Sequence, residues 1–259
     1  MGRTATLEWV LRRDRTVTLG ALLGVAALSW GYVLAGVGMD MGAMPMAEMM
    51  TGMAPTPWTP AHLGLMVVMW AVMMVAMMLP SAAPVILLFT TIERRRQRVA
   101  PYRATTSFVL GYLTVWTGFS LAAAVLQWVL ERLALLSPMM ATASVAFAGA
   151  VLVGAGLYEL TPLKRACLRH CRSPLDLITH HWRQGPFRTG LGHGLFCLGC
   201  CWMLMTLLFV GGVMNPLWIA IITLFVVVEK SAPFGDRIGR TAGVGLALWG
   251  SWTLLGAVM

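Results

Sequence analysis

The chain has 259 residues, of which 58% are hydrophobic and only 11% are charged. Soluble domains carry roughly a quarter of charged residues, so this composition excludes an ordinary soluble protein and indicates an α-helical membrane protein. The formal net charge of +9 does not indicate nucleic acid as a partner, because the basic residues lie in short loops beside apolar segments.

The fold class predicted is all-α, a polytopic transmembrane bundle formed by the single domain 1–259. Its apolar runs do not alternate with polar residues, as barrel strands would. Seven spans are expected in chain order, at about 17–38, 62–90, 104–130, 139–159, 190–213, 217–228 and 242–258. The first is too long for a signal-peptide core and is expected to be a retained anchor. Pro80 and Pro84 are expected to kink or interrupt the second.

The distribution of basic residues predicts the orientation of these spans. With the N-terminus inside, 18 of the 19 Lys and Arg residues lie on the inner side and only Arg132 lies outside. We therefore expect a multi-pass protein of the bacterial inner (cytoplasmic) membrane, N-in and C-out. The loop 39–61 then faces outward. The basic loop 161–189 is cytoplasmic, and we expect at most one short amphipathic helix in it.

The outer loop is rich in thioethers. Seven methionines fall within fifteen residues, namely Met39, Met41, Met44, Met46, Met49, Met50 and Met53. Thioethers are soft, uncharged ligands that prefer Cu(I), so the loop indicates capture of a metal ion. The alternative is a flexible surface that binds a partner protein, since methionine packs adaptably.

A methionine stripe continues into the second segment. Its members, spaced by four, three, four and four residues, are His62, Met66, Met69, Met73 and Met77. This spacing places them on one helical face, where they could pass a soft metal ion across the membrane. In spacing, though not in fold, the stripe resembles the thioether rings of the high-affinity copper transporter family. Methionine can also be plain filler of a membrane helix.

A cysteine and histidine cluster lies near the cytoplasmic ends of the later segments. The candidate metal ligands are Cys167, His170, Cys171, His193, Cys197, Cys200 and Cys201, and His180 and His181 lie between them. A reducing compartment does not favour stable disulfides. The ligands suit Cu(I) best, with zinc as the main competitor. A redox pair of Cys197 and Cys200, or simple helix packing by small thiols, would use the same residues.

Three stretches, 69–80, 158–174 and 193–205, carry a family resemblance. They read MWAVMMVAMMLP, YELTPLKRACLRHCRSP and HGLFCLGCCWMLM. They resemble the bacterial family of predicted metal-binding integral membrane proteins, from about residue 60 to the C-terminus. The resemblance implies a membrane location and a metal site, but no established activity.

The function predicted is binding of Cu(I) and its transport or delivery across the inner membrane, from the methionine stripe to the Cys/His site. The alternatives are a copper-dependent membrane oxidoreductase or oxygenase (or a subunit of one) and a thiol–disulfide carrier. The expected partners are the metal ion, the lipid bilayer and an accessory or copper-carrying protein, and a homo- or hetero-oligomer stays open. Glu159 and Glu229, near inner helix ends, are further candidates for a ligand or a proton relay.

Overall fold

A computed structural model describes residues 2–36, 58–97, 102–136, 142–173 and 185–258. These residues are overwhelmingly helical and contain no strand longer than an isolated bridge. The helices are α1 (Gly2–Leu34), α2 (Pro60–Gln97), α3 (Tyr102–Arg132), α4 (Val145–Leu160), α5 (Pro162–Arg172), α6 (Pro186–Thr206), α7 (Leu208–Gly211), α8 (Pro216–Ser231) and α9 (Gly235–Val258). The predicted all-α class is confirmed.

Four described helices are long and apolar enough to cross a membrane. They cover Arg13–Leu34, Pro60–Arg96, Tyr102–Arg132 and Pro186–Gly211. The pair α4 and α5, bent by 64°, would make a fifth span if it crosses as one. At 16 residues α8 is shorter than the roughly 20 residues that a span requires. These helices fit a membrane protein, whereas the count of seven spans and the N-in orientation stay predictions.

The bend between α4 and α5 follows from the dipeptide Thr161-Pro162. Pro162 has no N–H to continue the hydrogen bonds of α4, and it favours an extended residue before it. Thr161 is extended, with φ −70° and ψ 149°. Its side chain accepts a hydrogen bond from the Lys164 N–H (3.2 Å) and so caps α5. The basic loop 161–189 therefore begins with a helix, as expected.

The prolines of α2 were expected to kink or interrupt it, and the helix is not interrupted. Both Pro80 and Pro84 lie inside one helix of 38 residues. Pro80 deprives the Ala76 carbonyl of its usual intrahelical donor. The Trp30 indole N–H of α1 donates to that carbonyl instead (3.2 Å). A neighbouring helix thus satisfies the group that the proline leaves unpaired.

Close helix contacts fix the relative positions of the elements. The helix α3 packs on α6 through Gly190, where an added Cβ would overlap the Phe108 carbonyl. The helix α9 packs on α4 in the same way, through small residues such as Gly156 and Gly243. At one end of the bundle, Asp14 of α1 accepts hydrogen bonds from Arg94 (2.6 Å) and Tyr102 (2.7 Å). This contact joins the start of α1, the end of α2 and the start of α3.

Candidate metal centre

Four thiols from two helices come together inside the bundle. On α6, Cys197, Cys200 and Cys201 are all buried, and each is 1% exposed. Their spacing predicts a shared helix face for Cys197 and only one of the other two. The sulfur atoms of Cys200 and Cys201 are 3.4 Å apart. The bend before α5 brings in Cys171, whose sulfur lies 3.8 Å from that of Cys200. We call these four residues the thiol cluster.

Two polar side chains meet the thiol cluster at Cys197. The Tyr112 hydroxyl of α3 lies 3.2 Å from the Cys197 sulfur and 3.3 Å from the Met78 carbonyl. The Lys230 ammonium of α8 donates to the Cys197 sulfur (3.0 Å) and to the Ser81 hydroxyl (3.2 Å). Helices α2, α3 and α8 therefore all contribute to the surroundings of one sulfur atom.

Glycines of α6 make the approach of Tyr112 to Cys197 feasible. At Gly190 the backbone of α6 touches that of α3, and at Gly194 an added Cβ would lie 3.2 Å from the Tyr112 carbonyl oxygen. Side chains at these positions would separate the two helices. The glycines set the spacing between α3 and α6, and with it the contact between the hydroxyl and the thiol.

The thiol cluster lies about three turns along α6. Cys197 comes eleven residues after Pro186, the first residue of α6, or about 16 Å along the helix axis. The Tyr158 hydroxyl near the end of α4 contacts the Gly199 carbonyl, and Lys230 near the end of α8 contacts Cys197, so the ends of both shorter helices lie beside the cluster. Its expected position at the cytoplasmic mouth of the segment stays a prediction.

His193 is buried close to the thiol cluster, one turn before Cys197. Its ring stacks on Tyr112 and Phe108, with ring centroids 5.6 and 6.0 Å away. The side chain is 2% exposed, and its Nδ1 has no hydrogen-bond partner among the described residues. The ring is therefore packed in place, with one nitrogen unsatisfied.

Two other predicted ligands form no hydrogen bond with the thiol cluster among the described residues. Cys167 is half-buried, and its sulfur lies over Gly199. The exposed His170 ring stacks on Phe196 at 4.5 Å, and its Nδ1 is 2.9 Å from the Ala166 carbonyl. The loop 39–53 with its seven methionines, together with His180 and His181, lies outside the described residues.

The methionine stripe of α2 faces the interior of the bundle. Met66, Met69, Met73 and Met77 are each at most 1% exposed, and so are their neighbours Met74 and Met78. The stripe begins at the partly exposed His62, whose ring packs edge-on against Trp58 with the ring centroids 5.0 Å apart. At its other end, the Ser81 hydroxyl donates to the Met78 carbonyl (2.8 Å) next to Lys230. Burial and position place the thioethers between the far end of α2 and the thiol cluster.

A polar chain that the sequence did not reveal meets the first thioether of the stripe. The fully buried Gln127 of α3 donates to the Met66 sulfur (3.8 Å) and to the Glu131 carboxylate (2.9 Å). It accepts from the Trp70 indole (2.8 Å), while Trp58 donates to Glu131 (2.7 Å). A polar glutamine inside an apolar segment was the available signal.

The end of α4, the start of α5 and the end of α8 meet in a buried ion triad. Lys164 contacts Glu159, and it lies 2.8 Å from Glu229. All three side chains are at most 2% exposed. Glu229 and its neighbour Lys230 form no ion pair with each other among the described residues. The two residues point to different partners, Glu229 to Lys164 and Lys230 to Cys197.

The thiol cluster offers pairs of sulfur atoms rather than a complete multidentate cage. Among the described residues, no group of three or more His, Cys, Asp or Glu side chains is arranged to hold a metal ion. A structural zinc site needs four ligands around one point. The close pairs Cys200–Cys201 and Cys171–Cys200 instead fit a soft ion held by few thiolates, with Tyr112 and Lys230 beside them.

Comparison with known families finds one family model that matches most of the chain. Residues 67–253 match the model of the family PpoB2, described as a copper chaperone. The matched region contains the thiol cluster, Tyr112, Lys230 and most of the methionine stripe. No curated protein and no solved structure matches the chain.

Proposed function

The chain belongs to the PpoB2 copper chaperone family, and from this premise we propose that it carries Cu(I) through the bundle on methionine sulfur and holds it at the thiol cluster for delivery. The observation that carries the proposal is the meeting of four buried cysteines from α5 and α6. Thiolates and thioethers are the ligands that Cu(I) prefers. Copper is the cargo of this protein, to be bound and released.

The methionine stripe supports a route to the thiol cluster. From Met66 to Ser81 the helix covers fifteen residues, or about 22 Å, and the thioethers between them are buried. Each transfer would exchange one soft, neutral ligand for the next, so no step requires a hard or charged partner. The route runs from His62 and the loop 39–61 toward Cys197, which makes the direction inward under the N-in orientation.

The change from thioether to thiolate gives the proposed route its direction. A thiolate carries a negative charge and holds a soft cation more tightly than a thioether does. Cu(I) that arrives at Met77 or Met78 would therefore move on to the thiol cluster. Cys171 lies on α5 at the start of the basic loop 161–189. We propose that the ion leaves on this side, to an accessory protein that carries copper.

The alternative of a copper-dependent oxidoreductase has less support. Such enzymes usually require several imidazole ligands and an open position. Of the histidines that the structure describes, only His193 lies beside the thiol cluster, while His62 is at the far end of α2 and His170 is exposed. The geometry favours storage and transfer of the ion over oxygen chemistry.

The test is copper binding by the purified full-length protein in detergent, under reducing and anaerobic conditions. We expect the double variant Cys197→Ser/Cys200→Ser to lose more than about tenfold in Cu(I) affinity, or 1.4 kcal/mol, measured by competition with a Cu(I) chelator. The matched control is Cys167→Ser, which removes a thiol outside the cluster and should bind like wild type. Equal affinities of the double variant and wild type would contradict the proposal.

A further inference from the structure

Lys230 is a cation placed against the thiols rather than against a carboxylate. Its ammonium lies 3.0 Å from the Cys197 sulfur and 3.2 Å from the Ser81 hydroxyl. Among the residues that the structure describes, it forms no ion pair with Asp or Glu. The nearest carboxylate in sequence, Glu229, is bound to Lys164. The charge of Lys230 is therefore directed at whatever occupies the thiol cluster.

We propose that Lys230 makes the thiol cluster selective for monovalent soft cations, Cu(I) and Ag(I), over divalent ones such as Zn(II) and Cd(II). The inference rests on the proposed function, because it assumes that the cluster is where copper binds. It adds a selectivity-determining residue that is not itself a ligand. Ligand softness alone would not make this distinction, since thiolates also bind zinc well.

The selectivity follows from the balance of charge among the thiolates, the metal ion and the Lys230 ammonium in a buried site. Thiols lose their protons to the medium when they bind a metal ion. Two thiolates and a monovalent ion carry a net charge of −1, which the ammonium of Lys230 cancels. Two thiolates and a divalent ion are already neutral, so the same ammonium leaves an uncompensated +1. Because an unbalanced charge is costly away from water, the first complex is favoured.

The surroundings of Lys230 hold its charge in place. The Ser81 hydroxyl donates to the Met78 carbonyl (2.8 Å), which orients its oxygen to accept from the lysine. The Tyr112 hydroxyl also contacts Cys197 (3.2 Å), and it donates to the same Met78 carbonyl (3.3 Å). The ammonium therefore has a defined position beside the sulfur, near the end of α8.

The test compares Cu(I), Ag(I) and Cd(II) affinities of full-length wild type, Lys230→Met and Lys230→Arg at one fixed pH. In Lys230→Met we expect Cu(I) and Ag(I) affinities to fall at least about tenfold, or 1.4 kcal/mol, while Cd(II) affinity rises. Lys230→Arg keeps the charge and should retain the wild-type preference. Lys230→Gln repeats the test if Lys230→Met does not fold.

Opposite shifts for monovalent and divalent ions are the signature of a charge effect, because a merely structural defect would weaken both. Equal loss of both affinities, or no change in either, would overturn the role of Lys230 while leaving copper binding intact. Failure of the wild-type protein to bind Cu(I) would overturn the proposed function, and this inference with it. The two failures are therefore distinguishable in the same set of titrations.

Discussion

Several buried charged side chains form well-defined ion pairs. Lys164 is 1% exposed and serves two carboxylates, Glu159 and Glu229, on two other helices. Ionisable groups inside a membrane bundle are retained only where they are paired or functional. Here one ammonium holds the end of α4, the start of α5 and the end of α8 together.

Lys164→Met should destabilise the protein by about 3–5 kcal/mol, because it leaves two buried carboxylates without their cation. The measurement is thermal unfolding in detergent. The matched control is Arg169→Met, which removes a charge from an exposed position of the same helix and should have little effect. Adding Glu159→Gln and Glu229→Gln to Lys164→Met should recover part of the loss. Equal melting of the Lys164 and Arg169 variants would contradict the structural role of the triad.

Sequence reasoning at the residue scale found the thiols but not their neighbours. The spacing of His193, Cys197 and Cys200 predicts one helix face, and the structure buries all three. By contrast, Tyr112 and Lys230 reach Cys197 from α3 and α8. Their rotation toward the sulfur depends on how separate helices pack, and a periodicity within one helix carries no information about that.

At the scale of the element, α2 combines a methionine face with two interior prolines. The period of the methionines predicted the buried face correctly, because a helical stripe is a property of one segment. The prolines predicted a kink or an interruption, and the helix is not interrupted. Trp30 of α1 satisfies the carbonyl that Pro80 leaves unpaired, and a donor from another helix is not visible in the local sequence.

Replacing the buried thioethers tests whether α2 conducts the metal ion. The triple variant Met69→Leu/Met73→Leu/Met77→Leu removes sulfur but nearly conserves volume, so folding should be retained. We expect slower arrival of Cu(I) at a chelator inside proteoliposomes, with unchanged Cu(I) affinity of the thiol cluster. Met203→Leu, on α6 beside Gly154 and outside the stripe, is the control. A transfer rate equal to that of wild type would show that the stripe is packing alone.

At the scale of the whole molecule, the bundle has two regions of different chemistry, and the buried thioethers of α2 lie between them. One end carries Trp58, His62 and Glu131 around the start of the stripe. Ser81, which contacts Lys230 beside the thiol cluster, lies about 22 Å from Met66 along α2, and Cys197 lies about three turns inside α6. Composition sufficed to predict the all-helical class. It did not predict where along α6 the other helices meet the cluster, because that depends on where the shorter helices α4 and α8 end.

The central claim is that copper is held as Cu(I) by cysteine sulfur, and X-ray absorption at the copper edge of the loaded, full-length protein tests it most directly. We predict a monovalent edge and a first shell of sulfur at low coordination number, which collapses in Cys197→Ser/Cys200→Ser. The geometry supports this because paired thiols, and not a ring of imidazoles, meet inside the bundle. A first shell dominated by nitrogen or oxygen, unchanged in that variant, would contradict the account.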